Sequence, residues 1–181
     1  MQTSLTPHST ATRGFVYTGA TMPDKTPLAG KVAVVTGAGR HSGIGRYIAL
    51  ALARDGADVV ITGSGRSSDT FPESEKAIGW RDIDSVADEI REMGRRALPV
   101  ITDMRKSDDT QRVADETLRE FGRIDILVNN AAASRGNDRV PVIQLEESEW
   151  RRVLDLNLTG TFLVEHTQNR DATDEAAQDR D

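Results

Sequence analysis

The run Thr36-Gly37-Ala38-Gly39-Arg40-His41-Ser42-Gly43-Ile44-Gly45 has residue types and spacing suited to holding an anion. It follows a short apolar run, Val32-Ala33-Val34-Val35, and leads into a segment where Ile44, Ile48 and Leu52 recur at helical spacing. Glycines between a strand and a helix permit a tight turn. They also let backbone N–H groups approach a pyrophosphate and let the helix pack close to the strand. The helix N-terminus adds a partial positive charge. Gly37, Gly39, Gly43, Ile44 and Gly45 are therefore candidate cofactor contacts, with Arg40 and Ser42 in the loop between them. Strand before and helix after give the pattern its weight.

A turn of this kind reads a dinucleotide partly through the end of the next strand, where an acid commonly bonds a ribose 2′-hydroxyl. The second strand is Asp58-Val59-Val60-Ile61-Thr62, and its acid stands at the wrong end. The carboxyl end reads Thr62-Gly63-Ser64-Gly65-Arg66, without a carboxylate. Ser64, Arg66 and Arg40 could bind a 2′-phosphate, arginine through its paired donors and fixed charge. The expectation is NADP(H) in preference to NAD(H). The plainer alternative makes Arg66 a solvated loop arginine.

Other chemistries find little support. The chain has no cysteine, which excludes thiolate metal sites and thiol nucleophiles. His8, His41 and His166 lack metal-ligand spacing, and of these only His41 could touch a phosphate. The acids Glu146, Glu147 and Glu149 read as a helix start. A net charge of −6 argues against nucleic acid as a partner. No apolar run approaches the roughly 20 residues that span a bilayer, and no leader is visible, so cytoplasm is the default expectation.

The elements that position these groups alternate. Strands are expected at 32–35, 58–62, 97–101 and 124–128, and helices at 44–54, 84–93, 107–121 and 147–166, with Ser107 as a cap. The stretch 63–80 is long for a strand-to-helix connection. The pattern indicates a Rossmann-like three-layer α/β fold with a parallel sheet between helices. Residues 1–27 read as a disordered extension, 28–166 as the dinucleotide-binding domain, and 167–181 as a disordered acidic tail. On the last helix, Asn157 shares an apolar face with Trp150, Val153, Leu154, Leu158 and Phe162, where an amide needs hydrogen-bond partners.

These segments together resemble the short-chain dehydrogenase/reductase family over about Leu28 to Val164. The carrying residues are the Thr36-Gly37…Gly43-Ile44-Gly45 turn, Asp103 after the third strand, Asn129-Asn130-Ala131-Ala132 after the fourth, and Asn157-Leu158-Thr159-Gly160. The turn is two residues longer than the family's commonest form, and Ala132 replaces a usual glycine. The resemblance implies that Asp103, with Met104 beside it, meets the adenine, and that Asn129 and Ala131 line the nucleoside side. It also implies that Asn157 is the family's active-site asparagine, the one catalytic residue assignable here. The sheet order implied is 3-2-1-4, incomplete at about four strands. A nicotinamide dinucleotide is the implied partner, with self-association through the exposed last helix.

The family's chemistry is hydride transfer between nicotinamide and a carbonyl or alcohol, served by a serine and a Tyr-x-x-x-Lys pair. The only tyrosines are Tyr17 and Tyr47, followed four residues on by Thr21 and Ala51. Ser134 and Ser148 are not at the serine's position. The expectation is a truncated, inactive NAD(P)-dependent oxidoreductase that binds cofactor. The alternatives are a non-catalytic module pairing with a complete relative, and a remnant without function.

Overall fold

Four apolar runs form one parallel sheet in the order β3-β2-β1-β4. The structure is a computed structural model describing residues 26–167; the expected extension before Thr26 and the tail after Thr167 lie outside the described residues. The strands are β1 Val32–Val35, β2 Asp58–Gly63, β3 Ala97–Ile101 and β4 Ile126–Val128. Val34 of β1 faces Val60 of β2 on one side and Leu127 of β4 on the other. Pro99 lies in β3, opposite Ile61. An edge strand accommodates it, because the missing N–H can fall on the side without a neighbour.

The helices are α1 Ile44–Arg54, α2 Glu73–Ala77, α3 Ile83–Glu92, α4 Ser107–Phe121 and α5 Glu147–Leu154. Alternation along the strands divides the core into two layers. Ala33, Val35, Val59 and Ile61 pack with Ala49 and Leu50 of α1 and Val86 and Ile90 of α3. Val32, Val34 and Val60 face the other way, with Val113 of α4. The strands of β1 and β2 are thus apolar on both faces, as a sheet covered on both sides requires. This is the Rossmann-like α/β fold expected.

Three local expectations need correction. β4 begins at Ile126, not Ile124, because Asp125 turns its carboxylate back to the β1 Val32 N–H at 2.9 Å. Ser107 is the first residue of α4 rather than its cap; Lys106 stands at the cap without a side-chain bond. The last helix is not uniformly α: its backbone stays helical over the expected span, but its turns widen part-way. After α5 comes a wide π turn, Asp155–Gly160, and α-helix then resumes at 161–167. Thr167, expected as the first residue of the tail, is helical and buried at 3% exposure.

Candidate active site

β1 ends in Thr36, whose hydroxyl accepts hydrogen bonds from the Asn130 and Ala131 N–H groups, both at 3.0 Å. The Asn130 side-chain amide donates to the carbonyls of Thr36 at 2.8 Å and Gly37 at 3.0 Å. The end of β4 is thereby clamped to the turn after β1. Gly37 has φ +69°, and a Cβ there would stand 2.7 Å from the Ala131 Cα. Only glycine meets both conditions at low strain. A Cβ at Gly45 would overlap the Asn130 amide and lie 3.0 Å from the Ala38 Cα, so α1 starts hard against the turn. The first turn of α1 contains no acid, leaving its N-terminal dipole unopposed.

A cavity of about 570 Å³ opens over the carboxyl ends of the strands. Of the residues singled out from sequence, Gly37, Gly39, Arg40, Gly43, Ile44 and Gly45 line it from the turn. Ser64 and Arg66 line it after β2, Asp103 and Met104 after β3, and Ala131 after β4. Ser42 and Asn129 are not in its lining. Asn129 is exposed and donates instead to the Glu165 carboxylate at 2.9 Å. The residue that holds the turn is its neighbour Asn130, which sequence reasoning passed over.

Asp103 receives the backbone N–H of Arg105 at 3.1 Å and its guanidinium at 2.8 Å through two nitrogens. The Arg105 side chain, aided by the same residue's N–H, holds the Asp103 carboxyl down at about 2. It is a fixed anion and acceptor at any ordinary pH.

The long connection between β2 and α3 folds back over the enlarged turn. Trp80 Nε1 donates to the Gly39 carbonyl at 2.7 Å, and the buried Glu75 accepts the His41 N–H at 2.9 Å. The His41 ring packs edge-on against Trp80 at 4.8 Å between centroids, so it is held away from the cavity lining. The enlarged turn and the long connection are bonded to each other.

This connection overturns two premises of the sequence reading. Arg66 is not free. Its Nε and Nη2 donate to Asp82 Oδ1 at 3.1 and 2.7 Å, Nη1 to Glu75 at 3.2 Å, and Nη2 also to the Gly39 carbonyl at 3.3 Å. Its guanidinium lies 4.6 Å from the Phe71 ring centroid, a further hold on its orientation. A carboxylate does stand at this end of the cavity: Asp82, brought in from the connection rather than from β2. Asp82 has φ +55° and is the one described non-glycine residue with positive φ. Such a conformation costs about 1–3 kcal/mol. Its Oδ2 is buried without a hydrogen-bond partner.

Asn157 sits in the π turn, exposed among the described residues, and its Oδ1 accepts the Ala133 N–H at 2.8 Å. The wide turn breaks the expected stripe, and Trp150, Leu158 and Phe162 are all more than half exposed. Single π turns recur at functional sites. Leu156, one residue before, reaches the cavity, whereas Asn157 ties the segment after β4 to the helix.

The sequence model for short chain dehydrogenase matches residues 31–171. The chain belongs to the short-chain dehydrogenase family. A short chain dehydrogenase/reductase of Aspergillus oryzae, astE, is 39% identical over 136 residues, which is 75% of this chain and 46% of that protein. A 3-oxoacyl-[acyl-carrier-protein] reductase of Synechocystis is 38% identical over 76% of this chain and 49% of its own length. The chain thus spans about half the length of the curated relatives it matches. Among solved structures, carveol dehydrogenase from Mycobacterium avium in complex with NAD has a TM-score of 0.67 at 28% identity, covering 79% of this chain and 50% of that one. A short-chain type dehydrogenase/reductase from Mycobacterium marinum has a TM-score of 0.66 at 33% identity, with coverage of 82% and 52%. The family binds nicotinamide dinucleotides. Among the described residues no helix is long and apolar enough to cross a membrane.

Proposed function

We propose that this chain binds a nicotinamide dinucleotide in the cavity over the sheet and is the cofactor-binding part of an oxidoreductase acting on carbonyl and alcohol groups. One observation carries the reading. The glycine turn, the N-terminus of α1 and Asp103 converge on one cavity at the carboxyl ends of the parallel strands, where β2 lies on one side of β1 and β4 on the other and the strand order reverses, the place where open α/β sheets take their ligands. Its volume falls within the roughly 300–1,000 Å³ usual for small-molecule sites.

The residues fit the group. Backbone N–H groups at the start of α1 would hold the pyrophosphate. Asp103, fixed as an anion, would accept the adenine amine. Ala131 leaves room beside the turn, and Asn130 keeps that wall in place. Ile44, 74% exposed, would cover apolar surface of the bound nucleotide. The dinucleotide supplies the hydride donor or acceptor when bound. Asn157 would act by position, holding Ala133 and the strand end beside the reacting region. No Tyr-x-x-x-Lys pair occurs in these 181 residues, so this polypeptide alone is expected to bind without turnover. Calorimetric titration with NADH and NADPH, beside a carbonyl-reduction assay, tests this. Binding without turnover is expected. A folded chain that binds neither nucleotide refutes the reading, and turnover by this chain refutes its account of the missing acid.

A second reading, a module that pairs with another subunit, is favoured by one surface. Trp150, Leu158 and Phe162 are exposed, and among the described residues β4 pairs only with β1. Unpaired edges and apolar faces favour association. Sedimentation of the chain alone and with a full-length family member distinguishes the readings.

A further inference from the structure

Asp82 combines two features that folding alone would remove. Its backbone occupies a positive-φ conformation that suits glycine, and its Oδ2 is buried without a donor. Its side chain is only 10% exposed, yet the residue lines the cavity. Buried polar atoms nearly always have partners, so an orphan at a ligand cavity points to a missing donor. Strained residues likewise gather where ligands bind.

The surroundings are shaped around this carboxylate. A Cβ at Gly39 would overlap it, and a Cβ at Gly63 would come within 3.3 Å of Oδ2. Glycines on both the turn and β2 thus leave the space that Asp82 fills. Arg66 holds Oδ1 with two nitrogens, which orients the group and leaves Oδ2 over the carboxyl end of β2. With Glu75 also on Arg66, the cluster carries two anions and one cation, and Arg66 keeps a single N–H for any ligand.

We infer that Asp82, oriented by Arg66, selects NAD(H) against NADP(H) in this chain by accepting from a neutral adenosine-ribose hydroxyl and repelling a 2′-phosphate. The role that family members give to an acid on β2 passes here to a residue of the β2–α3 connection, nineteen positions beyond Gly63 in the chain. A 2′-phosphate brings negative charge and acceptor oxygens, and four of the five Arg66 N–H groups are already committed. Arg40 and Ser64 also line the cavity and compete with this effect; Arg40 is exposed, so its field is screened by water, and Ser64 carries no charge. The inference rests on the reading of the cavity as a dinucleotide site.

The test is competitive titration of the full chain with NADH and NADPH, and with ADP-ribose and its 2′-phosphate, followed by tryptophan fluorescence and calorimetry. NADH is expected to bind at least about tenfold more tightly than NADPH, and Asp82→Asn to bring the two within about threefold. Equal or tighter NADPH binding by the unaltered chain overturns the inference. So does an unchanged ratio in Asp82→Asn, or an NADPH preference that Arg40→Ala abolishes. Should Asp82→Asn fail to fold, the ADP-ribose pair on the unaltered chain decides by itself. Binding of neither dinucleotide overturns the underlying function instead, so the two failures are distinguishable.

Discussion

Asn130→Ala removes the clamp between the end of β4 and the glycine turn. Two hydrogen bonds from its amide to backbone carbonyls are lost, one of 2.8 Å to Thr36 and one of 3.0 Å to Gly37. At about 0.5–1.5 kcal/mol each, with a small void beside Gly45 in addition, the loss comes to about 2 kcal/mol. For a domain of this size that lowers the thermal midpoint by roughly 5–8 °C. Asn129→Ala serves as the internal control. Its amide meets only the exposed Glu165, and the change should cost less than about 0.5 kcal/mol. Urea denaturation of both variants, with thermal scans, provides the comparison. Nucleotide affinity should fall in Asn130→Ala and stay near the unaltered value in Asn129→Ala. Equal destabilisation by the two variants, or a larger effect at Asn129, would refute the assignment of the clamp to Asn130.

Other outcomes follow from the same geometry. Gly45→Val forces a side chain against the Asn130 amide and the Ala38 backbone, and should cost about 1–3 kcal/mol or more while abolishing nucleotide binding, read by denaturant midpoint and titration. Ile90→Ala empties a site fully buried between α3 and the sheet and should cost about 2–5 kcal/mol in the same denaturation assay. The Asp125 carboxyl is pushed up by burial, but bonds from Arg123, the Val32 N–H and Lys31 outweigh this and hold it at about 2. Its folded value lies below its unfolded value, so its stabilisation is present above about pH 4 and lost as pH falls toward 2. After allowance for solvent screening this amounts to about 1 kcal/mol, and Asp125→Asn should flatten that part of the stability–pH curve.

The sheet was legible because its evidence is local. Val32–Val35 and Asp58–Gly63 are apolar runs between glycine-rich turns, and buried parallel strands need little else. The glycine turn was legible for the same reason: strand, turn and helix are contiguous. The Asp82 cluster was not. Arg66 and Asp82 are sixteen residues apart, and their meeting depends on Trp80 and Glu75 anchoring the connection to Gly39 and His41. A long polar loop carries no periodicity that would announce such contacts. The choice between Asn129 and Asn130 was hidden by strand geometry, since adjacent residues point to opposite sides and sequence does not say which side faces the turn. The π turn at Asp155–Gly160 likewise shifts the phase of a stripe that reads as one helix.

The most direct test of the central claim is amide chemical-shift mapping of the labelled chain during titration with NAD+ and NADP+. The account predicts saturable shifts confined to 36–45, 62–66, 82, 102–105, 129–134 and around 156, the segments that surround the cavity. A folded chain showing no saturable shifts, or shifts centred on a different surface, would contradict it.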